Sequence, residues 1–300
     1  MEIPTARAER LGYVFMNVKD LDRSVDFYTK GLQLEETERQ DGRVYLRGGM
    51  EHHWLVVQEK PDAPLLERVG IEVADVDTLA QFEERLSENS IHFEAGDGLE
   101  SDRILRYVRF FDPSGNPLEL YTDMVTMPSP PKPSVIHFED IQHIVLNVHD
   151  FKIAHDFYTK VLGMRVSDYY EQGTAFMHFR NGWHHGIGIS AGANRTNGLS
   201  HICFLPKDLD MTMRARAAVI RVGAKITSDL LKHGPSGSIG FYFDGPDLNL
   251  EVSYGARQFA PDEIYKPRII PRVPGLDVWQ HGLEDLELGR PLLKAATSAP

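Results

Sequence analysis

One cysteine in 300 residues, Cys203, rules out a disulfide within the chain, so the fold must be held by its core. That fits a reducing compartment, and a cytoplasmic location is expected. Cys203 lies in the apolar run Ile202-Cys203-Phe204-Leu205, where a free cysteine usually serves as a small buried hydrophobe. Long apolar runs are missing as well: none approaches the roughly 18 residues of a membrane-spanning helix. The first residues, Met1-Glu2-Ile3-Pro4-Thr5, show no basic stretch leading into an apolar one, so no signal peptide is expected. Positive charge is in deficit, with 32 Lys and Arg against 44 Asp and Glu and a net charge of −12. Proteins that bind nucleic acid usually carry a basic face, so no such partner is expected. What remains, 42% hydrophobic and 25% charged residues, is the profile of a soluble globular protein, long enough for two ordinary domains.

The chain contains itself twice. LGYVFMNVKD (11–20) parallels IQHIVLNVHD (141–150), and Phe27-Tyr28-Thr29-Lys30 recurs as Phe157-Tyr158-Thr159-Lys160, an offset of 130. Downstream, Asp75 matches Asp208 at an offset of 133, and FFDPSGNPLELYTD (110–123) matches YFDGPDLNLEVSYG (242–255) at 132. Each copy opens with an apolar strand (Tyr13 to Val18; Ile141 to Val148). An Asp (Asp20; Asp150) then precedes an amphipathic helix, which in the first copy carries Leu21, Val25, Tyr28 and Leu32 on one face. Short β-rich runs follow, then a new strand, a second helix (Val76 to Ser87; Leu209 to Val222) and a closing strand pair. The expected class is α+β, with βαβββ repeated in each half to form a curved mixed sheet around a cavity. Four prolines within Met127–Ser134 can continue neither helix nor central strand and predict a stiff linker. The expected organisation is an N-terminal module over 1–126 without metal, a linker over 127–136, a C-terminal catalytic module over 137–266, and a tail over 267–300 lying on the surface or on a neighbouring subunit.

The halves differ in chemistry-bearing residues. The second places His143 on its first strand, His201 at the start of its middle strand and Glu251 in its last, in Leu248-Asn249-Leu250-Glu251-Val252. Two imidazoles and a carboxylate form the facial triad that leaves open positions on a non-haem Fe(II). A lone His or Glu in a strand is more often a paired core residue; three of them at matching strand positions of a repeated fold argue for convergence. At the same positions the first half has Tyr13, Arg68 and Glu119. A fixed guanidinium charge makes that a poor divalent-metal site.

From residue 10 to about 255 the chain resembles the type I extradiol ring-cleavage dioxygenases of the vicinal oxygen chelate superfamily, two-module enzymes with iron in the C-terminal module. The most specific stretch is HGPSGSIGFYFDGPDLNLE (233–251), whose His233, Tyr242, Pro246 and Glu251 satisfy the family pattern. Asn181-Gly182-Trp183-His184-His185-Gly186 resembles a second family segment. The resemblance implies Fe(II), with Mn(II) the less favoured metal. It also implies His185 as acid–base residue, Tyr242 and His233 as catalytic groups at the substrate oxygens, a catechol-type diol and O₂ as reactants, and a homo-oligomer. His143 and His201 are expected to donate their other ring N–H to nearby acceptors. There are departures. Asp244-Gly245-Pro246-Asp247 replaces the usual Asp-Pro-x-Gly turn, which the first half keeps as Asp112-Pro113-Ser114-Gly115, and Ser236 stands where some relatives have Asp. His52-His53 mirrors His184-His185 in the half without a metal site, where the plain expectation is a surface pair. A glyoxalase-like or 4-hydroxyphenylpyruvate dioxygenase-like enzyme of the same superfamily, or a metal-free aromatic-binding protein, are the alternatives, and the ring substituents stay open.

Overall fold

The computed structural model describes residues 6–171, 173–191, 198–260, 263–271 and 275–281. The first module contains strands β1 (Arg10–Val18), β2 (Glu35–Gln40), β3 (Arg43–Arg47), β4 (Leu55–Glu59), β5 (Leu66–Glu72), β6 (Phe93–Gly98), β7 (Ile104–Phe111) and β8 (Pro117–Met124). They form one mixed sheet in the order β2-β3-β4-β1-β5-β8-β7-β6. The second contains β9 (Phe138–Val148), β10 (Arg165–Tyr170), β11 (Thr174–His178), β12 (Ile187–Ala191), β13 (Gly198–Pro206), β14 (Ile226–Lys232), β15 (Ile239–Asp244) and β16 (Asn249–Tyr254). Their order is β14-β15-β16-β13-β9-β12-β11-β10, with β17 (Arg268–Ile270) added beside β10. The α+β class and the two tandem sheets anticipated from the repeat are what the chain adopts.

Helices α1 (Leu21–Lys30), α2 (Val76–Glu88), α3 (Phe151–Asp156) and α4 (Leu209–Arg221) begin alike. Asp20, Asp75, Asp150 and Asp208 each accept a hydrogen bond from the backbone N–H three residues on, satisfying a donor that the helix itself leaves free. Val25 and Tyr28 of α1 are buried, as their spacing predicts. The helix of the second copy departs from the expected form: α3 is regular for six residues and then widens into a π turn over Phe157–Val161. That turn faces the first module, where the Tyr158 hydroxyl donates to Asp112 Oδ2 at 3.0 Å. Reciprocally, Ser24 of α1 donates to Asp247 Oδ2 at 2.6 Å, so the divergent turn of the second copy is an inter-module contact. The proline-rich segment runs along the first sheet, with Arg47 donating to the Ser129 carbonyl at 2.8 Å and the Lys132 N–H donating to Glu35 at 2.9 Å.

The expectation of a surface tail over 267–300 needs correction where the structure describes it, and residues 272–274 and 282–300 lie outside the described ones. Arg268–Ile270 pairs in parallel with β10, and Ile270 and Val278 are buried. β10 would otherwise be an edge strand with open backbone groups, and β17 covers it.

Arg10 clamps the modules together through Glu51 (2.7 Å) and Glu72 (2.6 Å) of the first and Asp140 (3.1 Å) of the second. One guanidinium cannot neutralise three carboxylates, and burial, with Glu51 nearby, pushes the Asp140 carboxyl up from 3.8 to about 7 although Arg10 opposes the shift. Between those values the folded chain holds a proton that the unfolded chain has lost, so stability falls as pH rises through the window. Asp140→Asn is expected to remove that loss and to raise stability near pH 8 by roughly 1–2 kcal/mol, one pKa unit being about 1.4 kcal/mol. Urea unfolding of both chains near pH 5 and pH 8 checks this; parallel pH profiles would contradict it.

Candidate metal centre

The ladder register explains how three residues far apart in sequence meet. β13 lies between β9 and β16, with Cys203 opposite His143 on one side and Glu251 on the other. Glu251, Cys203 and His143 therefore form one row across the sheet. His201, two residues before Cys203, shares its face. Tyr242 on β15 extends the row beyond Glu251.

His143 Nε2 lies 3.2 Å from Glu251 Oε2, and His201 Nε2 lies 3.3 Å from the same oxygen and 3.4 Å from His143 Nε2. Donors about 2.0–2.2 Å from a divalent ion and at right angles to one another sit about 3 Å apart. The triangle thus has the dimensions of one face of an octahedron. His143 and Glu251 are buried, and His201 is partly exposed. Burial holds the His143 imidazole below its usual range, despite the opposing pull of Glu251, and keeps a lone pair available. Burial alone would raise the Glu251 carboxyl; His143, with hydrogen bonds from His201 and His233, overcomes it and holds the group ionised, well below its usual value. Two neutral imidazoles and a carboxylate suit a divalent first-row metal.

A cavity of about 230 Å³ opens over this triangle, and His143, His185, His201, His233, Tyr242 and Glu251 all line it. All six site residues expected from the sequence thus come together in one place. The His185 ring centroid lies 3.9 Å from that of His143. His233 Nε2 lies 3.2 Å from Glu251 Oε1, and the Tyr242 hydroxyl lies 3.2 Å from His233 Nε2. Burial, with the Glu251 charge beside it, pushes the Tyr242 phenol well up, so it remains a hydrogen-bond donor. Ser236 bonds to Ser238 Oγ at 2.8 Å.

Four sequence-level expectations change. Among the described residues His143 Nδ1 is buried without a hydrogen-bond partner, so the expected acceptor is not among them; the ring packs against His185. His52 and His53 are buried and do not form a surface pair. The repeat alignment placed Tyr242 opposite Phe110, but the ladders pair Tyr242 with Glu251 and Arg109 with Glu119. The turn after β15 is one residue shorter than that after β7, which shifts the match by one. Cys203, expected as a plain core residue, is fully buried, and its Sγ also lies within 4.8 Å of the donor atoms of His143 and Glu251. Its position two residues after His201 was the available signal. Burial, reinforced by the Glu251 charge, pushes the thiol well up, so it stands beside the triangle as a neutral thiol, and it does not line the cavity. Cys203→Ala is accordingly expected to keep bound metal and activity within about fivefold, because a neutral thiol supplies little to a hard cation already held by nitrogen and oxygen donors. Metal analysis and steady-state rates check it; loss of stoichiometric metal would make Cys203 a ligand.

In the first module the same row reads Glu119, Gly70 and Tyr13, with Arg68 above it. Gly70 is required, since a Cβ there would come within 2.0 Å of the Tyr13 ring. Tyr13 donates to Glu119 Oε1 at 2.5 Å, Arg109 donates to Glu119 Oε2 at 2.7 Å, and Arg68 donates to the Tyr13 hydroxyl at 3.0 Å and to Asp102 at 2.7 Å. Guanidinium groups supply the positive charge here.

The family model for the Glyoxalase/Bleomycin resistance protein/Dioxygenase superfamily matches residues 10–120 and 140–250. The biphenyl-2,3-diol 1,2-dioxygenase of Pseudomonas sp. (strain KKS102) is 27% identical over 289 residues, covering 91% of this chain and 97% of that protein. Among solved structures, a catechol 2,3-dioxygenase superposes with a TM-score of 0.77 at 26% identity, covering 91% of this chain and 95% of the other. The Mn(II)-bound glyoxalase from Novosphingobium aromaticivorans shares the fold, with a TM-score of 0.82 at 21% identity over 92% of this chain and 91% of that one.

Proposed function

The chain belongs to the Glyoxalase/Bleomycin resistance protein/Dioxygenase superfamily, and we propose that within it the protein is an extradiol dioxygenase that cleaves a catechol-type ring next to its two hydroxyls, inserting both atoms of O₂. The observation that carries this reading is the convergence of His143, His201 and Glu251 beneath a cavity also lined by His185, His233 and Tyr242. The relatives named above as dioxygenases of aromatic diols cover nearly all of the chain, which supports the same chemistry.

His143, His201 and Glu251 would hold Fe(II), with Mn(II) the alternative ion. When bound, the ion would act as a Lewis acid toward the diol and bring it together with O₂. The protein's own groups divide the remaining work. Tyr242, kept as a phenol, donates a hydrogen bond to a diol oxygen. His233, whose Nε2 faces Glu251 and the Tyr242 hydroxyl, orders that side of the cavity. Burial, with His143 alongside, holds His185 well below the usual imidazole range, so it meets the substrate as a neutral base able to take and return a proton. Phe176, whose ring lies 4.8 Å from that of His185, walls the cavity and helps keep water out. Ile264, Ile269 and Trp279 of the C-terminal segment are each exposed, and a homo-oligomer would cover such apolar side chains.

The test is anaerobic reconstitution with ferrous iron, and separately with Mn(II), followed by oxygen uptake and visible spectra on a panel of vicinal diols. Stoichiometric O₂ consumption with a new visible absorbance from the ring-opened product is expected. A fully loaded protein that leaves every diol and O₂ untouched would overturn the reading; isomerisation of a hemithioacetal without oxygen uptake would replace it with the glyoxalase-like alternative.

A further inference from the structure

Outside the metal centre, the two modules still match in one arrangement, buried around Asp168 and partly exposed at Glu38. His184 Nε2 lies 3.0 Å from Asp168 Oδ2, and His184 Nδ1 lies 3.1 Å from His185 Nδ1. Asp168 has no exposed side-chain surface. Its Oδ1 accepts from the Tyr265 hydroxyl (3.0 Å), the Arg268 backbone N–H (2.8 Å) and Arg268 Nε (3.1 Å), while Oδ2 also accepts from Arg268 Nη2 (2.6 Å). In the first module Glu38 Oε2 lies 3.1 Å from His52 Nε2, His52 Nδ1 lies 3.1 Å from His53 Nδ1, and Arg103 donates to Glu38. Glu38 and Asp168 stand 130 residues apart, the offset of the repeat itself.

The proton positions follow from donor and acceptor rules. An ionised carboxylate only accepts, so the proton between Asp168 and His184 sits on Nε2. Burial keeps His184 below its usual range although Asp168 pulls the other way, and a neutral imidazole with Nε2 protonated has a lone pair at Nδ1. The contact between the two Nδ1 atoms then needs its proton on His185. We propose that Asp168 and His184 are positioning residues that hold His185 in the tautomer protonated at Nδ1, leaving Nε2 as the proton acceptor facing the cavity, and that Tyr265 and Arg268 of the C-terminal segment complete this relay. The catalytic consequence rests on the ring-cleavage reading; the tautomer does not.

The first module supplies a built-in control. Its relay ends at His53 Nε2, which is buried without a partner among the described residues, and the His53 ring packs 4.7 Å from that of Tyr13. Breaking it disturbs the same local structure without touching a substrate. In Asp168→Asn, three donors converge on the Oδ1 position against two at Oδ2, so the amide oxygen turns toward the three. The NH₂ then faces His184, which must accept at Nε2 and donate from Nδ1, and His185 moves its proton to Nε2, while Arg268 Nη2 turns from that position and keeps the Pro235 carbonyl as its acceptor.

The experiment uses the full chain labelled with ¹⁵N-histidine, metal-free and Zn(II)-loaded, with the His185 signals assigned by their loss in His185→Gln. Nitrogen–proton couplings are expected to show His185 protonated at Nδ1 in the wild type and in Glu38→Gln, and at Nε2 in Asp168→Asn. In Fe(II)-loaded protein turning over catechol, Asp168→Asn is expected to lower kcat about 100-fold or more, with KM and metal content within about threefold, because the base then presents a proton where it must accept one. His184→Gln, whose amide can donate to Asp168 and accept from His185, should stay within about tenfold, and Glu38→Gln should match the wild type. Protonation of wild-type His185 at Nε2, an unchanged tautomer in Asp168→Asn, or equal loss of kcat in Asp168→Asn and Glu38→Gln would each overturn the proposal. A wild type that cleaves no diol would sink the ring-cleavage reading and leave the tautomer result to stand or fall separately.

Discussion

Glu251→Gln is expected to cost the chain its bound metal and about a thousandfold or more in ring-cleavage rate, some 4 kcal/mol of transition-state stabilisation. Glu251 is the carboxylate that faces His143, His201 and His233 at 3.2–3.3 Å. The amide is almost the same size, so packing changes little, but two things are lost. The donor triangle loses its negative charge, leaving two neutral imidazoles to hold a doubly charged ion. The amide also brings an NH₂ that can point into a cluster already supplied with donors. Metal analysis and oxygen uptake on the same preparation measure the effect, with a far-ultraviolet spectrum confirming the fold. Stoichiometric iron together with a rate within tenfold of wild type would remove Glu251 from the ligand set.

The equivalent residue of the first module should behave in the opposite way. Glu119→Ala is expected to destabilise the protein by about 3–5 kcal/mol, the range for removing one partner of a buried ion pair, with melting lowered by on the order of 10 °C. Glu119 is fully buried, accepts from Tyr13 and Arg109 and lies 3.5 Å from Arg68. Without it those groups keep Asp102 alone as their anion, and their desolvation goes largely uncompensated. Iron content and turnover per folded molecule should remain those of the wild type, because this cluster shares no residue with the cavity of the second module. Thermal unfolding beside metal analysis decides it: an unchanged melting curve, or lost iron, would show that the two acidic residues are not divided between stability and chemistry.

Much of this site could be read before folding. The candidate ligand types, their placement on strands, and the presence of Tyr13 and Arg68 at two of the matching positions are local facts of the sequence. Cys203 was harder, because an apolar run looks the same whether its neighbours are core or site. Its closeness to His143 and Glu251 exists only in the pairing of β9, β13 and β16. The one-residue slip between Phe110 and Arg109 was hidden for a related reason. Both turns align in sequence, yet hydrogen bonding decides how many residues each turn keeps out of the ladder. The buried state of His52 and His53 was equally out of reach, since Glu38, which pairs with His52, and Tyr13 and Tyr45, which pack on the two rings, lie on other strands.

By itself the sequence determined the duplication, the α+β pattern of each half, and which half carries two imidazoles and a carboxylate. Those follow from side-chain chemistry and from periodicities that each segment carries within itself. Tertiary structure decided the row in which the candidate ligands stand, the strand that the C-terminal segment adds, and the carboxylate that His184 meets. Each of these depends on contacts between groups tens to over a hundred residues apart, whose register is set when strands pair and the core closes.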